Sequence, residues 1–256
     1  MLDSHFHLND DTLYPIRQEV MERAFQCGVN LFLVVGWDVA SSKKAVEIAH
    51  EFPHTYAAVG IHPENLEGVN EDSLKEIETL AHDPKVIAIG EVGLDYHWFH
   101  DPKEHENQKT WFKKQIDLAN KLNLPLTIHG RDASEDLLKI LSETTPKFGA
   151  VLHCYSGSPE MLERFAQLGL YFGFDGPITY KNAITPKESV IRCPLDRLLT
   201  ETDSPYLSPT PYRGKTNEPA HIVEIQKQIA FLKGKPEDVV EKQVLNNFEK
   251  LFHVKQ

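Results

Sequence analysis

The chain opens Met1-Leu2-Asp3-Ser4-His5-Phe6-His7-Leu8. On an extended strand, residues two apart project to the same face. A strand here therefore aims the imidazoles of His5 and His7 at one point, and imidazole is the commonest protein metal ligand. His-x-His recurs by chance, so its weight depends on whether other segments end in matching donors. Reading outward, short runs rich in Val, Ile, Leu and Phe alternate with amphipathic stretches at helical spacing, which marks βα units and a parallel sheet. The apolar runs fall at 1–6, 30–35, 56–61, 86–89, 124–128, 150–152, 170–174 and 197–200. Helical patterns lie between them at 14–27, 41–51, 71–82, 104–122, 133–143, 159–168 and 186–191, and two more follow at about 219–232 and 236–252. Gly28, Gly149 and Gly169 sit where helices end and strands begin. Eight such units in 256 residues predict an α/β fold: one (β/α)8 TIM barrel domain spanning 1–256, with extra C-terminal helices. A doubly wound open sheet is disfavoured, because no Gly-rich phosphate fingerprint follows the first run.

Lys and Arg number 27 against 38 Asp and Glu, a net charge of −11. Such a chain has no bulk attraction for nucleic acid. If it acts on a phosphodiester, local cations must draw the substrate in, bound metals foremost. The cysteines, Cys27, Cys154 and Cys193, are odd in number and widely spaced, which is no disulfide framework. Cys154 follows His153 directly; on a continuing strand it faces away from that histidine and is not counted as a ligand. No secretory apolar region and no run of ~20 apolar residues is present, so a soluble cytoplasmic protein, monomeric by default, is expected.

In a barrel of this kind the active site lies at the C-terminal ends of the strands. Six of the eight runs end in His, Glu or Asp: His5 and His7, His62, Glu91, His129, His153 and Asp203. A pair of divalent ions about 3.5–4 Å apart needs several nitrogen and oxygen ligands and a bridging carboxylate. His5, His7, Glu91, His129, His153 and Asp203 meet that count for two ions, or three. Glu91, from a middle strand, is the natural bridge. Asp203 can touch one ion and take a proton from a bound water, so both carboxylates are candidate catalytic residues. Mixed His and carboxylate donors accept Zn²⁺, Mn²⁺ or, less readily, Mg²⁺. His62 can hydrogen-bond a substrate phosphate or cap the turn before Pro63. Arg131 suits bidentate phosphate recognition or a structural ion pair. Arg213 and Lys215 are loop cations that can hold a backbone phosphate or stay solvated. Asp95 and Glu201 read as supports for the ligands, and Tyr96 as a support or a base-stacking surface. The remaining histidines read as surface residues, with His97, His100 and His105 in a loop over the site.

Together these residues resemble the TatD family of metal-dependent hydrolases, within the amidohydrolase-like barrel superfamily. The matching stretches run in order along the chain: Asp3-Ser4-His5-Phe6-His7, Gly60-Ile61-His62-Pro63, Ile89-Gly90-Glu91-Val92-Gly93-Leu94-Asp95-Tyr96, His129-Gly130-Arg131, His153-Cys154-Tyr155-Ser156-Gly157 and Glu201-Thr202-Asp203-Ser204-Pro205-Tyr206. The resemblance implies the same six ligands, a divalent metal, and a deoxyribonuclease activity, exonucleolytic from the 3′ end, with DNA (single strands or 3′ ends) as partner. Glu91 stands where many related amidohydrolases carry a carboxylated lysine, which fits the TatD branch, whereas Gly130 departs from the Ser or Cys common there. Two other functions suit the same residues. One is hydrolysis of a carbonyl substrate, such as an amide, a lactone or an aminoacyl-tRNA ester, because fold does not fix function. The other is metal-stabilised binding without catalysis, against which the ligand count argues, since structural sites are closed and usually use four.

Overall fold

Strands buried on both faces read as near-continuous apolar runs, and the second run, Leu-Phe-Leu-Val-Val, is buried throughout. In the computed structural model, which describes residues 1–254, the runs form one parallel sheet in chain order. Its strands are β1 (Leu2–Phe6), β2 (Leu31–Val35), β3 (Thr55–Val59), β4 (Val86–Asp95), β5 (Leu126–Arg131), β6 (Ala150–Leu152), β7 (Tyr171–Phe174) and β8 (Leu198–Thr200). The helices are α1 (Arg17–Gln26), α2 (Val39–Glu51), α3 (Glu71–Leu80), α4 (Pro102–Leu122), α5 (Ser134–Glu143), α6 (Pro159–Gln167), α7 (Ile184–Arg192), α8 (Ile222–Lys233) and α9 (Glu237–Phe252). This is the expected (β/α)8 barrel, in which two helices follow the last strand: α8 completes the eighth unit and α9 is added. No helix among the described residues is long and apolar enough to cross a membrane.

Side chains do much of the closing between β8 and β1. Ser4 Oγ donates to the Thr200 carbonyl (3.0 Å), and Thr200 Oγ1 donates to the Leu2 carbonyl (3.2 Å). Buried Asp3 accepts from the Thr202 backbone N–H (3.0 Å) and hydroxyl (2.5 Å). Above them, Asp203 N–H donates to His5 O (3.0 Å) and His7 N–H to Ser204 O (2.8 Å). The seam thus sets Asp203 beside His5 and His7. From outside, α9 clasps it: Glu241 pairs with the Met1 ammonium (2.6 Å), and Asn247 donates to the carbonyls of Leu195 and Leu198 (2.8 Å each).

Two of the differences from expectation have a physical reason. The fourth run was expected to stop at Ile89, yet β4 continues to Asp95, with a register shift between Ile89 and Val92. The glycines there do not end the strand; they let neighbouring backbone approach. Gly93 has φ +149°, and a Cβ on it would lie 2.0 Å from the His129 carbonyl oxygen. Gly93→Ala is expected to destabilise the protein by about 2–4 kcal/mol, the upper range for one substitution, read as a fall in the urea midpoint. An unchanged midpoint would overturn that account of the β4–β5 approach. Gly28 and Gly169 follow α1 and α6 with positive φ, but Gly149 lies six residues past the end of α5, in the loop entering β6, and is no helix cap.

Candidate metal centre

The strand ends bring the six expected ligands together. His5 lies near the end of β1 with His7 just beyond it, Glu91 sits midway along β4 at its register shift, His129 lies in the second half of β5, His153 follows β6, and Asp203 lies in the segment after β8. Glu91 sits at the middle and divides its oxygens. Oε2 is 3.4 Å from His5 Nε2 and 3.6 Å from His7 Nε2. Oε1 is 2.6 Å from His153 Nε2, 2.9 Å from His129 Nδ1 and 3.4 Å from His62 Nε2. Asp203 Oδ1 completes the first half, 3.3 Å from His7 Nε2 and 3.8 Å from His5 Nε2.

The rings of His5, His7 and His129 are held from behind, which fixes the nitrogen that faces inward. His7 Nδ1–H donates to the Val35 carbonyl (2.9 Å), a contact in which that nitrogen can only be the donor, so Nε2 keeps its lone pair. His5 Nδ1 meets the Thr127 hydroxyl (3.1 Å) and His129 Nε2 meets Asp95 Oδ2 (2.9 Å). His153 Nδ1 faces Glu201 Oε1 at 3.6 Å, and Glu201 also accepts from Cys154 N–H. Asp95 and Glu201 therefore support ligands as expected, while Thr127 and the Val35 carbonyl carried no sequence signal. His5 Nε2 is buried and has no hydrogen-bond partner. An orphaned imidazole nitrogen is costly unless a ligand takes its lone pair. Inward lone pairs, two flanking carboxylates and that orphan fit divalent cations.

The electrostatics agree. Burial would raise Glu91, yet the facing His153, His62 and His129 hold it well below the usual carboxylate range. Asp203 is likewise lowered, His7 and His153 outweighing its burial. Burial would lower His153, but Glu91 and Glu201 hold it well above the ordinary imidazole value. His5 is lowered, first by burial and then by His153. The pocket favours positive charge, which protons or ions can supply.

His62 is a special case. Its Nδ1 accepts from Glu64 N–H (3.2 Å), capping the 3₁₀ turn at Pro63–Asn65, and its Nε2 faces Glu91. The capping reading of His62 is thus the one these contacts bear out. Burial lowers it to about 4, so it is neutral at physiological pH with its proton on Nε2. The unfolded chain binds this proton below about 6.5 and the folded chain only below about 4, so His62 costs stability as pH falls through that window. The thermal midpoint of His62→Gln should decline less than that of the wild type between pH 6.5 and 4; equal declines would contradict a neutral, buried His62.

The site opens into a cavity of about 730 Å³, whose rim includes Trp98, Arg131, Tyr206 and Leu207. The Arg131 guanidinium lies 5.4 Å from the Trp98 ring centroid. Arg213 and Lys215 are exposed and outside the cavity wall, with Arg213 packed over Tyr180 (4.1 Å). Three expectations need correction. Tyr96 donates to Asp136 (2.8 Å) and stacks on His105 (3.7 Å), so it neither supports a ligand nor offers a free stacking face. His105 and His221 are half-buried and stacked on tyrosines rather than solvated. Cys154 does not face away from the site: β6 ends at Leu152, the backbone turns at Cys154 (φ +46°), and the thiol comes near Asp175 and Asp203. Asp175 was overlooked, although it directly follows the strand-end Phe174, the same signal that marked the other seven residues.

The sequence model of the TatD related DNase family matches residues 2–253. The chain is 42% identical over 255 residues to the uncharacterized metal-dependent hydrolase YabD of Bacillus subtilis, covering 99% of each protein. It is 34% identical over 241 residues to the 3′-5′ ssDNA/RNA exonuclease TatD of Salmonella typhimurium, covering 91% of this chain and 92% of that one. Among solved structures, the TatD homologue YJJV of Escherichia coli superimposes with a TM-score of 0.94 at 30% identity, covering 100% and 98% of the two chains.

Proposed function

Since the chain belongs to the TatD-related DNase family, as a metal-dependent hydrolase acting on ester bonds, we propose that it is a two-metal phosphodiesterase that trims single-stranded DNA from the 3′ end. The relative named as a 3′-5′ ssDNA/RNA exonuclease supports the substrate and the direction. The observation that carries the two-metal reading is the divided carboxylate of Glu91, one oxygen toward His5 and His7 and the other toward His129 and His153. His5, His7 and Asp203 would hold one ion and His129 and His153 the other, with Glu91 facing both groups. When bound, such ions lower the pKa of water and polarise phosphoryl oxygens.

The chain's own side chains do the rest. Asp203, ionised across the working pH range, accepts the proton released when water attacks phosphorus. His62 donates its Nε2 proton to a phosphoryl oxygen that gains charge. Arg131 takes a second oxygen of the scissile phosphate or its neighbour, and Trp98 beside it offers a ring to the terminal base. Arg213 and Lys215 can meet only a strand extending past the cavity. The enzyme acts as a cytoplasmic monomer built as one barrel.

The deciding assay compares 5′-labelled and 3′-labelled oligonucleotides, single- and double-stranded, with and without EDTA, beside a panel of carboxylic esters and lactones. EDTA-sensitive shortening from the 3′ end is expected. Turnover of esters with intact oligonucleotides would overturn the proposal in favour of carbonyl chemistry. Arg131→Ala should raise KM for single strands roughly tenfold, the loss of one charge-assisted contact, and flatten the salt dependence of KM by about one counterion. An unchanged KM and salt slope would remove Arg131 from the substrate's path.

A further inference from the structure

The two-metal reading uses Glu91 and Asp203 and leaves one buried acid beside them unexplained. Asp175 is 3% exposed, and its Oδ2 meets no hydrogen-bond donor. It stands at the N-cap of the 3₁₀ turn Gly176–Thr179, yet its side chain does not cap that turn. Instead its carboxylate shares a point with two other donors: an Asp175 oxygen, Cys154 Sγ and an Asp203 oxygen lie within 4.8 Å of one another. The neighbouring acid Glu201 is accounted for, since it accepts from Cys154 N–H and Ser4 Oγ and faces His153. A buried carboxylate oxygen without a donor is retained at a cost of kilocalories unless something positive occupies the space it faces.

We infer that Cys154, Asp175 and Asp203 form a third cation site, adjoining the metal pair and selective for a thiophilic ion such as Zn²⁺. This rests on the reading of Asp203 as a ligand of the pair, because the third site shares that carboxylate. Three protein donors with an open fourth position is the usual arrangement of an exchangeable zinc site. The open position is available, because Cys154 and Asp203 both line the cavity. The sulfur sets the selectivity: thiolate favours Zn²⁺ over the hard cations Mg²⁺ and Mn²⁺, which prefer oxygen. The paired sites, lacking sulfur, accept either class. An ion bound here would share Asp203 with the pair, making catalytic output depend on which metal is supplied.

The test is metal content by native mass spectrometry on the intact protein loaded with Zn²⁺ alone or with Mn²⁺ alone. Zinc-loaded wild type should carry three ions per chain, and Cys154→Ser and Asp175→Asn two each. Manganese-loaded wild type should carry two. The cobalt-substituted wild type should show a near-ultraviolet thiolate-to-metal band that Cys154→Ser lacks, and bound Zn²⁺ should protect Cys154 from iodoacetamide. Both variants are close to isosteric, and retention of two ions reports that each has folded. Two zinc ions in all three proteins would overturn the third site and leave the pair standing. Three in all three, or a cobalt spectrum indifferent to Cys154, would place the extra ion elsewhere and also overturn it. Failure of the wild type to hold any ion would remove the pair and this site together.

Discussion

Glu91→Gln is expected to lower kcat by about a thousandfold or more and to release bound metal, with the fold kept. Glu91 is the one side chain that faces every imidazole of the centre: its two oxygens lie between 2.6 and 3.6 Å from His5, His7, His62, His129 and His153. An amide offers one oxygen where the carboxylate offers two, carries no charge, and presents to the ring lone pairs an NH₂ that cannot ligate a cation. Losing the bridge removes charge stabilisation of several kcal/mol in the transition state, and each 1.36 kcal/mol is a factor of ten in rate. The fold should survive because Gln is nearly isosteric and β4 is held by its ladder to β3 and β5. Three measurements go together: oligonucleotide turnover, metal per chain, and far-ultraviolet circular dichroism. A variant that turns over normally, or keeps the wild-type metal content, would end the bridging role.

Asp203→Asn should cut kcat by about 10²–10⁴, the usual contribution of a positioned general base, with KM nearly unchanged. The paired metals should remain, because Asn keeps a carbonyl oxygen where Oδ1 faces His7 and His5. The pH profile separates this role from a ligand role. His7 and His153 hold Asp203 below the ordinary carboxylate range despite its burial, so the wild type carries the base in its active form throughout neutral and mildly acidic conditions. The deficit of Asp203→Asn should therefore be uniform above about pH 5. A deficit that vanishes at high pH, or one that appears wholly in KM, would mean that Asp203 positions the substrate instead.

The parts of this architecture that were legible from the chain share one property: they are local. Hydrophobic period, length and strand-end chemistry marked every strand and helix, because each depends on neighbours in sequence. His5, His7, His62, Glu91, His129, His153 and Asp203 were visible because an ionisable group closing an apolar strand has few structural uses. Asp175 carried the same mark after Phe174. Cys154 was misplaced because the sixth strand stops at Leu152 and turns, and nothing in Val151-Leu152-His153-Cys154 announces that bend. Groups that hold the ligands from behind, such as the Thr127 hydroxyl and the Val35 carbonyl, depend on which strands become neighbours. For Arg213 and Lys215 the alternatives stayed open in the sequence because a loop placed after the right strand need not turn its cations inward; here both stay outside the cavity wall, and Arg213 packs on Tyr180.

The hydrogen bonds joining β1 to the end of β8 link residues nearly two hundred positions apart, such as Asp3 with Thr202. A chain growing from its N-terminus on a ribosome can stack β1 through β7 in order, each strand on the last. It cannot place Asp203 against His5 and His7 until almost all of it has emerged. Chain growth is slow beside local folding steps, so the nascent barrel waits open with an incomplete ion cage. The last strand to arrive both shuts the cylinder and brings Asp203 to His5 and His7, so a partly made chain lacks a complete centre.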